Sequence, residues 1–174
     1  MKFSLNKSLE IIENTPLVVS ALLNNISDQW TISNEGKNTW TAKEVVAHLI
    51  VCEQTDWLPR AKIILSDNQD KTFAPIDMLA HFDLAKNNSM KDLIKEFKRL
   101  RETGINEIKG LNLQKTDLNK TAIHPKVGEL NLQQLIAAWA IHDLTHIAQI
   151  ARIMAKQNKE NVGVFATFLT ILKS

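Results

Sequence analysis

The stretch Leu135-Ile-Ala-Ala-Trp-Ala-Ile-His142-Asp-Leu-Thr-His146-Ile-Ala-Gln-Ile150 decides the fold that the sequence predicts. It is largely apolar, and its apolar residues recur at the spacing of a helix. It lies within a longer segment, from Asn131 to about Gln157, that begins with an imitation of a capping box formed by Asn131 and Gln134. The segment therefore predicts a long helix with one face directed at a core.

The rest of the chain has the same helical character. Thr41-Ala-Lys-Glu44 is a capping-box signature. We expect Pro16 to kink the first helix or to mark a broken turn, and Pro59 to bend the second. The segments 66–88 and 112–130 predict long connections, the former either a mobile flap or a crossover. The predicted helices cover about Ser8–Ile26, Thr41–Leu65, Ser89–Ile108 and Asn131–Gln157, with a short fifth helix at Val162–Leu172. This pattern predicts an all-α fold, a four-helix bundle with long crossover connections, as a single domain over residues 1–174.

Composition narrows the range of partners and compartments. Of 174 residues, 44% are hydrophobic and 23% charged, which is typical of a globular protein, and the net charge of +2 gives no electrostatic case for nucleic acid. We interpret the basic cluster Lys95–Arg101 as a solvated helix face. Cys52 is the only cysteine, so an intramolecular disulfide is excluded. The N-terminus lacks the apolar core of a signal peptide, and no apolar run approaches the ~20 residues that span a bilayer. We therefore expect a cytoplasmic protein without a membrane partner.

His142 and His146 are the main candidates for function. On a helix, residues at i and i+4 lie on the same face, so two imidazoles at this spacing can bind one metal ion. In the heptad seam of this helix they stand between Trp139 and Ile153. His48 lies on the corresponding seam of the second helix, with Val45, Cys52 and Thr55. Facing helices of a bundle build metal sites in this way, and His48 is the candidate third ligand.

Other interpretations stay open at this point. The histidines could be core residues, each hydrogen-bonded to a carbonyl or a carboxylate. Cys52 could be a fourth, soft ligand or a redox-sensitive thiol, although a small buried core residue fits its position better. Gln149 could bind water or substrate, or make a structural hydrogen bond. His81 and His124 lie in predicted connections and are weaker ligand candidates, His81 at the surface or in a flap and His124 in a turn.

Asp143 tests a likeness to zinc proteases. His142-Asp-Leu-Thr-His146 resembles the H-E-x-x-H motif with aspartate in place of the glutamate that acts as general base. The shorter side chain reaches a bound water less well, and no histidine follows His146 as a third ligand. We therefore interpret Asp143 as a cap or an ion-pair partner and do not expect peptidase activity.

Three motifs, in this order and spacing, resemble the DinB-like superfamily, which includes YfiT-type metal-dependent hydrolases and thiol S-transferases. They are Trp40-Thr-Ala-Lys-Glu-Val-Val-Ala-His48-Leu, Glu53-Gln-Thr-Asp-Trp57-Leu-Pro59-Arg60 and His142-Asp-Leu-Thr-His146-Ile-Ala-Gln149-Ile. The resemblance covers nearly the whole chain and implies a four-helix bundle with an added short helix, often dimeric. It also implies one divalent metal, zinc or nickel, bound by His48, His142 and His146.

Two function classes follow, together with a structural alternative. Three neutral imidazoles leave the charge of a divalent metal uncompensated, which lowers the pKa of a bound water to about 7 or deprotonates a bound thiol. The first hypothesis is a metal-dependent hydrolase, or an S-transferase that uses a low-molecular-weight thiol as cosubstrate, acting on a small molecule in stress or detoxification. Its catalytic residues are unassigned, with Asp143, Glu53 and Gln149 as unranked options. The alternative is a non-catalytic metal- or ligand-binding stress protein, and the third possibility is a purely structural bundle.

Overall fold

Helices dominate the computed structural model, which describes residues 2–173. The α-helices are α1 (Leu5–Leu23), α2 (Asp28–Ile32), α3 (Ala42–Thr55), α4 (Trp57–Leu65), α5 (Ala80–Asn87), α6 (Met90–Gly110) and α7 (Leu132–Lys156). Strands β1 (Thr121–His124) and β2 (Gly128–Asn131) form an antiparallel hairpin. Short 3₁₀ turns lie at Asp117–Asn119, Gly163–Thr167 and Thr170–Leu172.

The long helices α1, α3, α6 and α7 form a four-helix bundle. Both α1 and α3 pack against α6 and against α7, so the first two long helices lie on opposite sides of the bundle. The predicted helix starts are confirmed by their caps: Thr41 and Glu44 form a complete capping box on α3, and Asn131 and Gln134 form another on α7. The predicted all-α bundle is therefore confirmed, with the hairpin as an addition.

The second predicted helix is divided into two. The break lies at Asp56, whose φ of −110° and ψ of −81° end α3 before α4 begins. A proline ring clashes with the carbonyl of the residue four positions earlier, which for Pro59 is Thr55. The sequence-based expectation of a bend was correct in cause, but the change of direction comes three residues before the proline.

Three segments differ from the sequence-based expectation. The connection 66–88 contains helix α5, which the sequence analysis missed because the helix has only eight residues. The connection 112–130 contains the hairpin, whose chain reversal ends at Gly128 with a φ of +79°, a value that favours glycine. The short fifth helix predicted at Val162–Leu172 consists of 3₁₀ turns: Val164 and Phe168 are more than 80% exposed, so burial does not stabilise a longer α-helix.

A polar layer divides the core of the bundle. One apolar cluster contains Ile12, Trp57, Ile105 and Trp139, and a second contains Val19, Ile50, Phe97 and Ile150. The histidines of α7 lie where the two clusters meet. Buried polar residues surround this level of the bundle, and they are Thr15, Glu53, Arg101 and Asp143.

Within residues 2–173, none of the helices combines the length and the apolar character that crossing a bilayer requires.

Candidate metal centre

Three imidazole rings from two helices meet in the polar layer. His48 Nε2 and His146 Nε2 each lie 3.1 Å from His142 Nε2, and the ligand atoms of all three rings lie within 4.8 Å of one another. His48 comes from α3, and His142 and His146 come from successive turns of α7. The convergence that the sequence predicted is therefore present, whereas metal binding by these residues stays a prediction.

The three histidines of the cluster have lowered pKa values. Burial, with smaller contributions from nearby histidines, lowers the pKa of His48 to about 4 and that of His142 to about 3. Burial also lowers the pKa of His146. All three rings are consequently neutral at pH 7, which leaves each with one nitrogen lone pair available to a metal.

Gln149 fixes the proton of one ring. His146 Nδ1 lies 2.8 Å from Gln149 Oε1, an acceptor, so Nδ1 carries the proton and Nε2 presents its lone pair to the centre of the cluster. This is the outer hydrogen bond that orients a metal-ligating histidine. Of the two roles predicted for Gln149, the structure shows the structural hydrogen bond. The buried Nδ1 of His142 has no such partner within residues 2–173.

Three facing ring nitrogens are poorly satisfied by protons alone. His146 Nε2 carries no hydrogen and can only accept a hydrogen bond. A hydrogen on His142 Nε2 could be donated to His146 Nε2 or to His48 Nε2, but not fully to both. A cation placed among the nitrogens would accept a lone pair from each. The donor set therefore fits a divalent metal of the kind that imidazole binds, such as zinc or nickel.

Aromatic side chains enclose the cluster. The ring of Trp40 stacks over His146 at a centroid distance of 6.2 Å and lies 4.9 Å from the ring of His48. On another side, the ring of Trp57 meets His142 edge to face at 5.0 Å. These walls limit the access of water and thereby strengthen electrostatic interactions in the centre.

His81 is a site neighbour that the sequence analysis underestimated. The predicted surface position is wrong, because the residue is only 1% exposed, although it does lie in the segment 66–88, on α5. The ring lies 4.3 Å from that of Trp40 and 5.7 Å from that of His48. His124 instead is the last residue of β1, directly before the hairpin turn, and its Nδ1 accepts a hydrogen bond from the Lys126 N–H in that turn at 3.0 Å.

Arg101 joins two buried carboxylates beneath the histidines. It donates two hydrogen bonds to Asp143, from Nη2 to Oδ1 at 3.0 Å and from Nη1 to Oδ2, and its Nη2 lies 2.9 Å from Glu53 Oε1. The prediction that Asp143 is an ion-pair partner agrees with this geometry. The interpretation of Lys95–Arg101 as a solvated face is wrong for Arg101, which is 1% exposed, although Lys95 and Arg99 are exposed.

The same guanidinium bonds the backbone carbonyl that Pro16 leaves without a helical hydrogen bond in α1. A proline has no N–H, so Pro16 leaves the carbonyl of Ile12 without its helical partner. Arg101 Nη1 donates to that carbonyl at 2.7 Å. The expected kink at Pro16 does not interrupt α1, which continues to Leu23, and a side chain from α6 satisfies the buried carbonyl instead.

The charges of Arg101, Glu53 and Asp143 partly offset one another within the protein interior. Burial opposes the charged form of Arg101, but Glu53 and Asp143 overcome this effect and raise its pKa. Burial raises the pKa of Glu53, and Arg101 counteracts the increase. With both carboxylates ionised, the group carries a net charge of −1 close to the histidines, which favours a cation in the cluster.

A cavity approaches the centre from the side of Trp57. It has a volume of about 510 Å³ and lies between α4, α7 and the hairpin, where Asp56, Arg60 and His124 contribute polar groups. Arg60 Nη1 lies 2.7 Å from Asp56 Oδ1, and burial raises the pKa of Asp56 to about 6. Because Trp57 both lines this cavity and contacts His142, one indole ring separates the cavity from the cluster.

Comparisons with known proteins agree with this architecture. YfiT from Bacillus subtilis, described as a probable metal-dependent hydrolase with an unusual four-helix bundle topology, superposes with a TM-score of 0.73 at 16% identity, over 91% of this chain and 87% of YfiT. TT2238, a four-helix bundle protein, superposes with a TM-score of 0.58 at 18% identity, over 85% of this chain and 98% of its own. A search of curated protein sequences found no match. Residues 12–150 match the sequence profile of the DinB superfamily, and the chain therefore belongs to that superfamily.

Proposed function

We propose that the protein is a metal-dependent enzyme whose divalent ion is bound by His48, His142 and His146. The observation that carries this proposal is the convergence of three neutral imidazole nitrogens on one point, with two of the three separations at 3.1 Å. When bound, a divalent metal at this position lowers the pKa of a coordinated water or thiol toward neutrality. Zinc and nickel are the candidate ions, since imidazole suits both.

The protein's own residues supply binding, orientation and exclusion of water. Gln149 holds a proton on His146 Nδ1 and so keeps Nε2 free. Trp40 and Trp57 cover the rings of the cluster, while the Arg101–Asp143 pair ties α7 to α6 at the same level. Asp143 is committed to this pair, which argues against a role for it as a mobile general base.

The reaction that we propose is hydrolysis of a small molecule or transfer of a low-molecular-weight thiol to an electrophile. The description of YfiT as a probable metal-dependent hydrolase supports the first choice, and the family likeness supports the second. The cavity beside Trp57 is large enough for a small substrate. We also propose, from the family likeness and the single cysteine, a homodimer located in the cytoplasm.

Metal analysis of untagged protein, purified without added metal, tests the proposal. We expect one zinc or nickel ion per chain, and its loss in a His146→Ala variant. His124→Ala is the matched control for metal content alone, because His124 lies at the end of β1, outside the histidine cluster, and its replacement should leave the bound metal unchanged. Hydrolytic and thiol-conjugation assays on the three proteins follow. A wild-type protein without metal, or turnover that survives His146→Ala, would overturn the proposal, and metal without turnover would favour the non-catalytic binding protein.

A further inference from the structure

The single cysteine lies against the histidine cluster. Cys52 Sγ is 3.5 Å from His48 Nε2 and 4.0 Å from His142 Nε2. Cys52 follows His48 by one helical turn on α3, so both side chains leave the helix on the same face. Within residues 2–173, imidazole nitrogens are the polar atoms that Sγ meets at hydrogen-bonding range, and the residue is 2% exposed.

From this geometry we propose that Cys52 is a fourth protein ligand of the metal ion, which gives the site three nitrogen donors and one sulfur donor. This inference rests on the proposed function, since it requires that the histidines bind a metal. With three histidines alone, the fourth coordination position of the metal would hold only solvent or substrate. With Cys52 as a ligand, the protein supplies a thiolate at that position.

The distances among the donor atoms of His48, His142 and Cys52 are close to those of tetrahedral coordination. Zinc bonds of about 2.0–2.1 Å to nitrogen and about 2.3 Å to sulfur place two nitrogens about 3.3 Å apart and a nitrogen and a sulfur about 3.5 Å apart. The observed separations are 3.1 Å between ring nitrogens of His48 and His142, and 3.5 Å and 4.0 Å from these two nitrogens to the sulfur of Cys52. Small side-chain rotations would bring these three donors to bonding distance of one ion, and His146 Nε2, 3.1 Å from His142 Nε2, would add the third nitrogen.

The charges of the polar layer also favour a thiolate. Arg101 with Glu53 and Asp143 contributes a net charge of −1 when both carboxylates are ionised. A divalent ion bound by neutral imidazoles alone would leave the buried layer with a net charge of +1. A thiolate on the metal brings the whole layer to neutrality, which reduces the cost of burying it.

Deprotonation of Cys52 accompanies metal binding in this scheme. The sulfur forms a bond to the metal, the S–H bond breaks, and the proton leaves to solvent. Burial, with the nearby carboxylates of Asp56, Glu53 and Asp143, raises the pKa of the free thiol, so the thiolate is expected only with metal present. A substrate water or thiol would then take a fifth position, an expansion that zinc sites permit.

Cobalt substitution tests the inference on the untagged full-length protein. The protein is stripped of metal and titrated with Co²⁺, and both bound cobalt and the absorption spectrum are measured. We expect one cobalt per chain and an intense near-ultraviolet band from thiolate-to-cobalt charge transfer. Because the chain has one cysteine, such a band can come only from Cys52.

Two variants complete the experiment. Cys52→Ala should keep the cobalt but lose the band, and its affinity should fall by at least about tenfold in competition with a chelating dye. Thr55→Ala, an exposed position on the same helix, should keep both. Bound cobalt without the band in wild-type protein would overturn the cysteine assignment and leave the proposed function intact. Failure of wild-type protein to bind cobalt would overturn both. The wild-type spectrum decides the matter even when Cys52→Ala does not fold.

Discussion

Replacement of Arg101 by methionine removes the guanidinium that joins the polar layer. Methionine has a similar length, so the change leaves little empty space but takes away the partners of Glu53, Asp143 and the Ile12 carbonyl. All of these groups are buried, so water cannot replace the lost interactions without a rearrangement.

The size of the effect follows from burial. Breaking a buried ion pair by removing one partner costs about 3–5 kcal/mol, and an orphaned buried carbonyl costs about 1–3 kcal/mol. Part of this is recovered, since a carboxylate left alone can take up a proton. We therefore expect Arg101→Met to lower the free energy of unfolding by about 4 kcal/mol, a large fraction of the stability of an ordinary domain.

Arg99 provides the matched control on the same helix. It makes a two-pronged pair with Glu96, at 2.7 Å and 2.8 Å, but its side chain is 61% exposed. Exposed ion pairs of this kind contribute about 0–1 kcal/mol. Arg99→Met should therefore lower the free energy of unfolding by no more than about 1 kcal/mol. Both arginines make two-pronged ion pairs, so the difference in stability between Arg101→Met and Arg99→Met reports the effect of burial.

The assay is urea unfolding of metal-free protein, followed by circular dichroism and fitted as a two-state transition. A triple variant that adds Glu53→Gln and Asp143→Asn to Arg101→Met should recover part of the loss, because no uncompensated charge remains in the core. Equal effects of Arg101→Met and Arg99→Met would refute the reasoning, as would a triple variant less stable than Arg101→Met alone.

Three further outcomes are expected. In metal-free protein, the histidines of the unfolded state take up protons near pH 6.5, whereas His48 and His142 in the folded state resist protonation down to about pH 4 and 3. Their contribution to stability should therefore fall as the pH is lowered below 6.5, measured by urea midpoints across pH. The raised pKa of Asp56 works in the opposite direction below about pH 6 and reduces the size of this fall. A His48→Asn variant should show a shallower fall. Gly104→Ala should raise stability by about 0.5–1 kcal/mol, since its Cβ would meet neighbours only at ordinary contact distances of 3.6 Å within α6, and a thermal scan that shows destabilisation would contradict this. Thr41→Ala should cost about 1 kcal/mol, because it removes the hydroxyl that accepts the Glu44 N–H, and Thr41→Ser should restore most of it.

The histidine cluster could be predicted because spacing carried the information. His142 and His146 are one turn apart, and His48 occupies an equivalent position on an apolar stripe, so helical periodicity alone placed three rings toward one core. The bundle was predictable for the same reason. The caps at Thr41 and Asn131 are local signals, and they lie where the structure has them.

The buried charges could have been found by the same periodicity. Arg101 continues the stripe of Phe97 and Ile105 at steps of four residues, and Asp143 follows Trp139 at the same step. The prediction failed for Arg101 because its neighbours along the chain are exposed and charged. The segment Lys95–Arg101 was therefore interpreted from its composition, and not from the helix face on which each residue lies. The hairpin was missed because its four-residue strands show no clear alternation, with only Ala122 fully buried in β1.

The ion cluster of Arg101, Glu53 and Asp143 lies at the level of the histidines, and this position suggests why the bundle contains it. For stability alone, a buried group of two carboxylates and one guanidinium offers little, because well-packed apolar residues of the same volume are often equal or better. If the proposed function holds, its placement at the level of the histidines has a use that apolar packing lacks. With both carboxylates ionised, the group carries a net charge of −1, which would lower the free energy of a cation bound among the histidines. Burial keeps the imidazole rings neutral, so the carboxylates would supply the charge that the rings do not. A variant in which Asp143→Asn leaves the fold intact yet weakens Co²⁺ binding would show that the two halves of the layer act together, whereas unchanged affinity would assign the ion cluster to packing alone.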